Sequence, residues 1–212
     1  MTSRAPLEQS IALLRSLGCH SIVLYGSRAR GDFEPQSDLD LAAFRDLAPG
    51  EGAIRDSRTL EAPEGPLQLD AWLYPTAQLI ASPDLLHLAG GQAVLDERGL
   101  LAPVLTKLTE LVARGPGPLP SWDAEQRQQW ARKCLLRAGR GGPEGDLRRH
   151  WLLYQSLEDR QRLRGEWYLG SKATLAHLAQ HHPDEAQLCS QALAPDATLD
   201  AIDAWIRRAY LL

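Results

Sequence analysis

The stretch Gly26–Asp40, GSRARGDFEPQSDLD, holds residues whose types and spacing suit phosphate and a divalent cation. Gly26 carries no Cβ and lets a ligand approach the backbone. The Ser27 hydroxyl can donate to a phosphate oxygen, and backbone N–H groups opening a helix beyond it form an anion site. Arg28 and Arg30 add positive charge nearby, Arg28 as a further phosphate contact. Ten residues separate Ser27 from Asp38, and Asp38-Leu39-Asp40 follows. In an extended strand Asp38 and Asp40 share one face. Two carboxylates held together are costly without positive charge between them. Mg²⁺ fills that need where carboxylates and substrate phosphates are its ligands. Asp70, the lone charge in LQLDAWL, supplies a third carboxylate if its strand lies beside the first.

These residues need strands behind them. Ser21–Tyr25 (SIVLY) reads as a buried strand ending at Gly26, and Asp38–Phe44 (DLDLAAF) as a second. In Leu67–Leu73, Leu67, Leu69, Ala71 and Leu73 alternate with Gln68, Asp70 and Trp72, which predicts a third strand with Asp70 on its polar face. Leu7, Ile11, Leu14 and Leu17 fall at helical spacing and Gly18 stops the helix. Residues 45–66, rich in Gly, Pro and charge, read as a mobile loop with at most a short strand near Thr59–Glu61. A short helix is expected after Pro75, an edge strand at Ala93–Leu95 and a helix over Leu100–Arg114.

Gly115-Pro116-Gly117-Pro118-Leu119-Pro120 breaks any helix. The expected organisation is a catalytic domain over 1–114, a Gly/Pro linker over 115–120 and an all-α bundle over 121–212. The bundle helices are read at Trp122–Ala138, Asp146–Arg164, Ser171–His181, Pro183–Leu193 and Leu199–Leu211. The fold class is thus α/β (α+β) with a small mixed sheet, followed by a helical bundle.

Gly26-Ser27 and Asp38-Leu39-Asp40 at this spacing resemble the signature of the polymerase β-like nucleotidyltransferase superfamily, and its minimal branch in particular. Kanamycin and lincosamide nucleotidyltransferases in that superfamily carry a helical domain after the catalytic one. The resemblance covers residues 8–112 and extends to the bundle only in outline. It implies that Gly26 and Ser27 contact the triphosphate of ATP or another NTP, and that Asp38 and Asp40 bind Mg²⁺, with two ions expected. Asp70 is then the third carboxylate, as metal ligand or as base on the acceptor hydroxyl. Nucleoside monophosphate, taken as AMP, passes to that hydroxyl and pyrophosphate leaves.

In the second half, RGEWYLGSK places Lys172 in the first turn of a helix, unfavourable unless it faces an anion. Lys172 is therefore read as a phosphate contact. Glu166 is a further candidate base, while Trp167 and Tyr168 are read as core, as are Trp122, Trp130, Trp151 and Trp205. His181 and His182 are adjacent, point in different directions on a helix, and do not read as a metal pair.

Charge narrows the acceptor. The net charge of −4 argues against a nucleic-acid coat. Residues 1–114 hold 15 Asp/Glu against 10 Lys/Arg, which favours a cationic small molecule such as an aminoglycoside-like antibiotic. A partner protein, adenylylated as by certain antitoxins, is the alternative. tRNA comes third, and a catalytically silent nucleotide-binding module is the non-enzymatic reading. A monomer or a homodimer fits equally. Three scattered cysteines, Cys19, Cys134 and Cys189, suggest reduced thiols in a cytoplasmic protein. No apolar run reaches the roughly 20 residues of a membrane span.

Overall fold

The computed structural model describes residues 4–47, 52–61 and 65–212, and the chain divides into two compact units, Met1–Ala113 and Arg114–Leu212. In the first unit the element order is α1 (Arg4–Ser16), β1 (Cys19–Tyr25), α2 (Gly26–Arg30), β2 (Leu39–Arg45), β3 (Ile54–Leu60) and β4 (Leu67–Pro75). Two 3₁₀ segments, Thr76–Gln78 and Pro83–Leu88, lead to β5 (Gln92–Asp96) and α3 (Leu101–Arg114). The five strands form one sheet in the order β3-β4-β2-β1-β5. Only β2 and β4 pair in parallel; the other neighbours are antiparallel.

Burial explains the central strands. All of β1 except Tyr25 is buried, as expected of a strand with a neighbour on each edge. On β4, Leu67, Leu69, Ala71 and Leu73 are buried and Gln68, Asp70 and Trp72 are half-buried, so the alternation read from sequence holds. The core joins those leucines to Leu14 of α1, Ile22 and Leu24 of β1, and Leu39 and Leu41 of β2. Asp96 at the end of β5 accepts from the Leu100 and Leu101 backbone N–H groups, each at 3.0 Å, and so caps α3.

The structure corrects the reading of residues 45–66. Ile54–Leu60 is a seven-residue edge strand where a loop was expected, and the remainder of that loop includes 48–51 and 62–64, outside the described residues. Its burial explains the miss: only Leu60 is buried, so it carries no apolar alternation.

The second unit comprises α4 (Ser121–Ala138), α5 (Gly142–Leu163), α6 (Ser171–His181), α7 (Pro183–Leu193) and α8 (Leu199–Tyr210). Its core centres on Leu152, Leu157, Leu178, Trp205, Ile206 and Tyr210. Trp205 Nε1 donates to Ser156 Oγ at 2.7 Å, and Tyr210 OH donates to Asp159 Oδ2 at 2.7 Å, so both buried polar groups are satisfied. Trp122 and Trp151, expected in the core, are instead 67% and 48% exposed, because their helix faces look outward. Cys19, Cys134 and Cys189 are buried free thiols. Among the described residues no helix is long and apolar enough to cross a membrane.

Candidate active site

The strand registers bring the sequence-selected acids together. Asp40 on β2 stands opposite Asp70 on the parallel strand β4, and opposite Tyr25 on the antiparallel strand β1. Asp38 lies two residues before Asp40, exposed, just ahead of β2. Tyr25 ends β1, and Gly26-Ser27 open α2 immediately after it. One end of three adjacent strands therefore presents Gly26, Asp38, Asp40 and Asp70.

Gly26 has φ +72, a conformation that side-chain-bearing residues rarely adopt. A Cβ there would overlap the Asp40 Oδ2 oxygen and lie 3.0 Å from its Cγ. Glycine thus serves two needs, the turn out of β1 and the close approach of the Asp40 carboxylate. The helix that follows is only five residues long, so its dipole adds little to anion binding.

Burial pushes the Asp40 carboxyl up to about 6, with the Asp38 and Asp70 charges adding to the shift and Arg30 and Arg28 opposing it. Tyr25 is raised too, first by burial and then by Asp40. In both cases the neighbouring acids add to the effect of burial, and a bound cation would offset that added negative charge. All-oxygen donors on adjacent strands fit a hard divalent cation such as Mg²⁺.

Both neighbouring arginines add positive charge at Asp40, and their side chains are held in different ways. Arg28 was read as a phosphate contact, but it is 8% exposed and turned to the loop before β2. Its Nε donates to Ser37 O at 2.9 Å and Asp38 O at 3.2 Å, and its Nη2 donates to Ser37 O at 2.7 Å. The guanidinium also lies 4.8 Å from the Phe33 ring centroid. Arg28 therefore holds the Asp38 backbone in place. Arg30 is exposed and pairs with Asp32 at 3.3 Å.

Arg55 was not singled out from sequence, because it falls in the stretch read as a loop. On β3 it reaches across to Asp70, with Nε to Oδ1 and Nη2 to Oδ2 both at 2.7 Å. This bidentate pair occupies both oxygens of the third carboxylate. The Asp70 side chain is 15% exposed and that of Arg55 56% exposed, so the arginine can leave for solvent.

The second-unit candidates are placed as follows. Lys172 is exposed in the first turn of α6. Glu166, considered as a base, instead accepts from Arg160 Nη1 at 2.6 Å. Tyr168 packs against the bundle core as expected, and Trp167 lies 5.9 Å beneath the Arg162 guanidinium.

Residues 11–71 match the family model described as a nucleotidyltransferase domain, a segment that contains every one of Gly26, Ser27, Asp38, Asp40 and Asp70. A solved structure of a nucleotidyltransferase-like protein from Exiguobacterium sibiricum 255-15 is similar at 16% identity and a TM-score of 0.40. That similarity covers 94% of this chain and 69% of the other. No curated protein matches the chain.

Proposed function

We propose that the chain, whose residues 11–71 match the nucleotidyltransferase domain, transfers AMP from ATP to a hydroxyl of a small, cationic acceptor, releasing pyrophosphate. The observation that carries the reading is the register placing Asp40 against Asp70, with Asp38 and the Gly26-Ser27 turn at the same strand ends.

In this reading the triphosphate lies over Gly26 and Ser27, where the missing Cβ leaves room and the Ser27 hydroxyl donates to a phosphate oxygen. Asp38 and Asp40 would hold Mg²⁺, and Asp70, released from Arg55, would be the third carboxylate. The cation, when bound, supplies charge neutralisation at the phosphates and a lowered barrier to deprotonating the acceptor oxygen. The acceptor oxygen forms its bond to the α-phosphorus while the bond from that phosphorus to the pyrophosphate oxygen breaks. The acceptor proton passes to the Asp70 carboxylate. Arg28 contributes by fixing Asp38, and positioning does much of the work. The acidic excess of residues 1–114, 15 Asp/Glu against 10 Lys/Arg, favours a cationic acceptor.

The test is calorimetry with a non-hydrolysable ATP analogue, with and without Mg²⁺, on wild type and on Asp38→Asn/Asp40→Asn, followed by acceptor screening with α-labelled ATP. Mg²⁺-dependent binding that the variant loses supports the site. Absence of binding to ATP, GTP, CTP and UTP alike overturns the enzymatic reading.

A further inference from the structure

We propose that the second unit holds a separate transition-metal site, formed by Glu166, His177 and His182 and suited to Zn²⁺. The proposal is independent of nucleotidyl transfer, because all three residues lie within Arg114–Leu212 and none belongs to the carboxylate cluster of the first unit.

The three side chains come from three places in the fold. Glu166 lies in the segment joining α5 to α6, His177 is on α6, and His182 is the residue between α6 and α7. One ligand atom from each lies within 4.8 Å of the other two. His177 Nε2 and Glu166 Oε2 are 3.8 Å apart, too long for a hydrogen bond and close to a shared-cation distance. Ligands on a tetrahedral Zn²⁺ at about 2.0–2.1 Å would stand roughly 3.4 Å from one another.

Two further features point to a ligand. His177 Nε2 is shut off from solvent and has no hydrogen-bond partner among the described residues. A buried ring nitrogen without a partner is costly unless something fills the position. The carboxylate, in turn, is held in place from behind: Arg160 Nη1 donates to Glu166 Oε2 at 2.6 Å, and the Glu166 N–H donates to Gln161 O at 2.9 Å. Ligating carboxylates are commonly oriented by such outer hydrogen bonds.

The helix end explains why the histidines meet. At His182 the backbone leaves helical geometry, with φ −138 and ψ 62, while its N–H still donates to Leu178 O at 2.8 Å. This turn carries the His182 ring back to 5.5 Å from that of His177, five residues earlier. His181, whose ring centroid is 4.8 Å from that of His177, stands beside the group. Two imidazole nitrogens and one carboxylate favour Zn²⁺ over Mg²⁺, and three protein ligands leave a fourth position open. Bound there, Zn²⁺ would clip the α5–α6 segment to the end of α6.

The experiment uses the untagged full chain, stripped with chelator and then titrated with Zn²⁺ alone. One equivalent per chain is expected to survive gel filtration, and Co²⁺ in its place is expected to give the strong visible bands of low coordination. His177→Ala/His182→Ala should weaken binding by at least about tenfold while circular dichroism shows the variant folded. Glu166→Gln and the single His182→Gln provide milder second variants. Asp38→Asn/Asp40→Asn should leave Zn²⁺ binding unchanged. The proposal is overturned if Zn²⁺ does not bind, if the histidine variants bind it as well as wild type, or if the aspartate variant is the one that loses it.

Discussion

The Gly26 backbone lies directly against the Asp40 carboxylate, so that a side chain at position 26 and an acid at position 40 exclude one another. The turn that ends β1 and the acid that opens β2 are thus a single unit of design.

Gly26→Ala is expected to abolish transfer and to destabilise the first unit by about 3 kcal/mol, from the positive φ together with the overlap. Adding Asp40→Ala should recover most of that stability in urea unfolding while the protein stays inactive. Normal activity in Gly26→Ala would show that the turn relaxes freely and that the contact is incidental.

Arg28→Ala should cost about 2 kcal/mol, because several loop carbonyls lose a charged donor, and should lower transfer about 100-fold through a displaced Asp38. Arg28→Lys should not restore it, since an ammonium cannot span the carbonyls that Nε and Nη2 reach together. If the loss fell wholly on ATP affinity with stability unchanged, Arg28 would be a nucleotide contact after all.

Arg55→Ala tests whether the arginine competes with a cation for Asp70. The pair is partly exposed, so stability should change by no more than about 1 kcal/mol. The Mg²⁺ concentration needed for half-maximal nucleotide binding should fall several-fold. A rise instead would mean that Arg55 holds Asp70 in its working position.

Glu185 gives the second unit an acid-sensitive joint. It is 4% exposed and receives Arg160 Nε at 2.9 Å, Arg164 Nη2 at 3.1 Å and Arg208 Nε at 2.9 Å. Burial alone would raise its carboxyl, but the hydrogen bond from Arg160 and the surrounding arginine charges hold it below the ordinary value of 4.5. A depressed carboxylate contributes stability that is complete above the unfolded value and is lost as pH falls through the folded one. Unfolding of the bundle should therefore become easier below about pH 4.5. Glu185→Gln should cost about 3 kcal/mol at neutral pH, leaving Glu166 as the carboxylate that faces the buried Arg160 charge, and should flatten that acid slope. Thermal melts from pH 3 to 7 would reveal both effects, and an unchanged slope would place the acid sensitivity elsewhere.

Residues that are buried by apolar pattern could be read from the sequence, and those placed by polar partners could not. β1, β2 and β4 were legible because burial on both faces or strict alternation leaves a period in the chain. Asp38, Asp40 and Asp70 could be picked out because charge interrupts those apolar runs. β3 left no such mark: its place rests on pairing with β4 and on the Arg55–Asp70 ion pair. The inward turn of Arg28 depends on where the carbonyls of residues 35–38 fall, which no local pattern encodes. The end of α6 at His181 was legible, but the meeting of His177 and His182 rests on the non-helical backbone of His182, which no periodicity encodes. The pattern likewise placed Trp122 and Trp151 on helices without showing that their faces turn outward.

The place of Trp205 and Tyr210 has a consequence for how the protein is made. Both are fully buried at the centre of the bundle, bonded to Ser156 and Asp159 of α5, and both arrive on the last helix. On the ribosome, the sheet of the first unit has all its strands once residue 96 has emerged, whereas the bundle lacks its keystone until residues 199–210 follow. Nascent chains therefore spend an interval with a paired sheet and an open hydrophobic bundle, the interval in which chaperones and proteases compete for them.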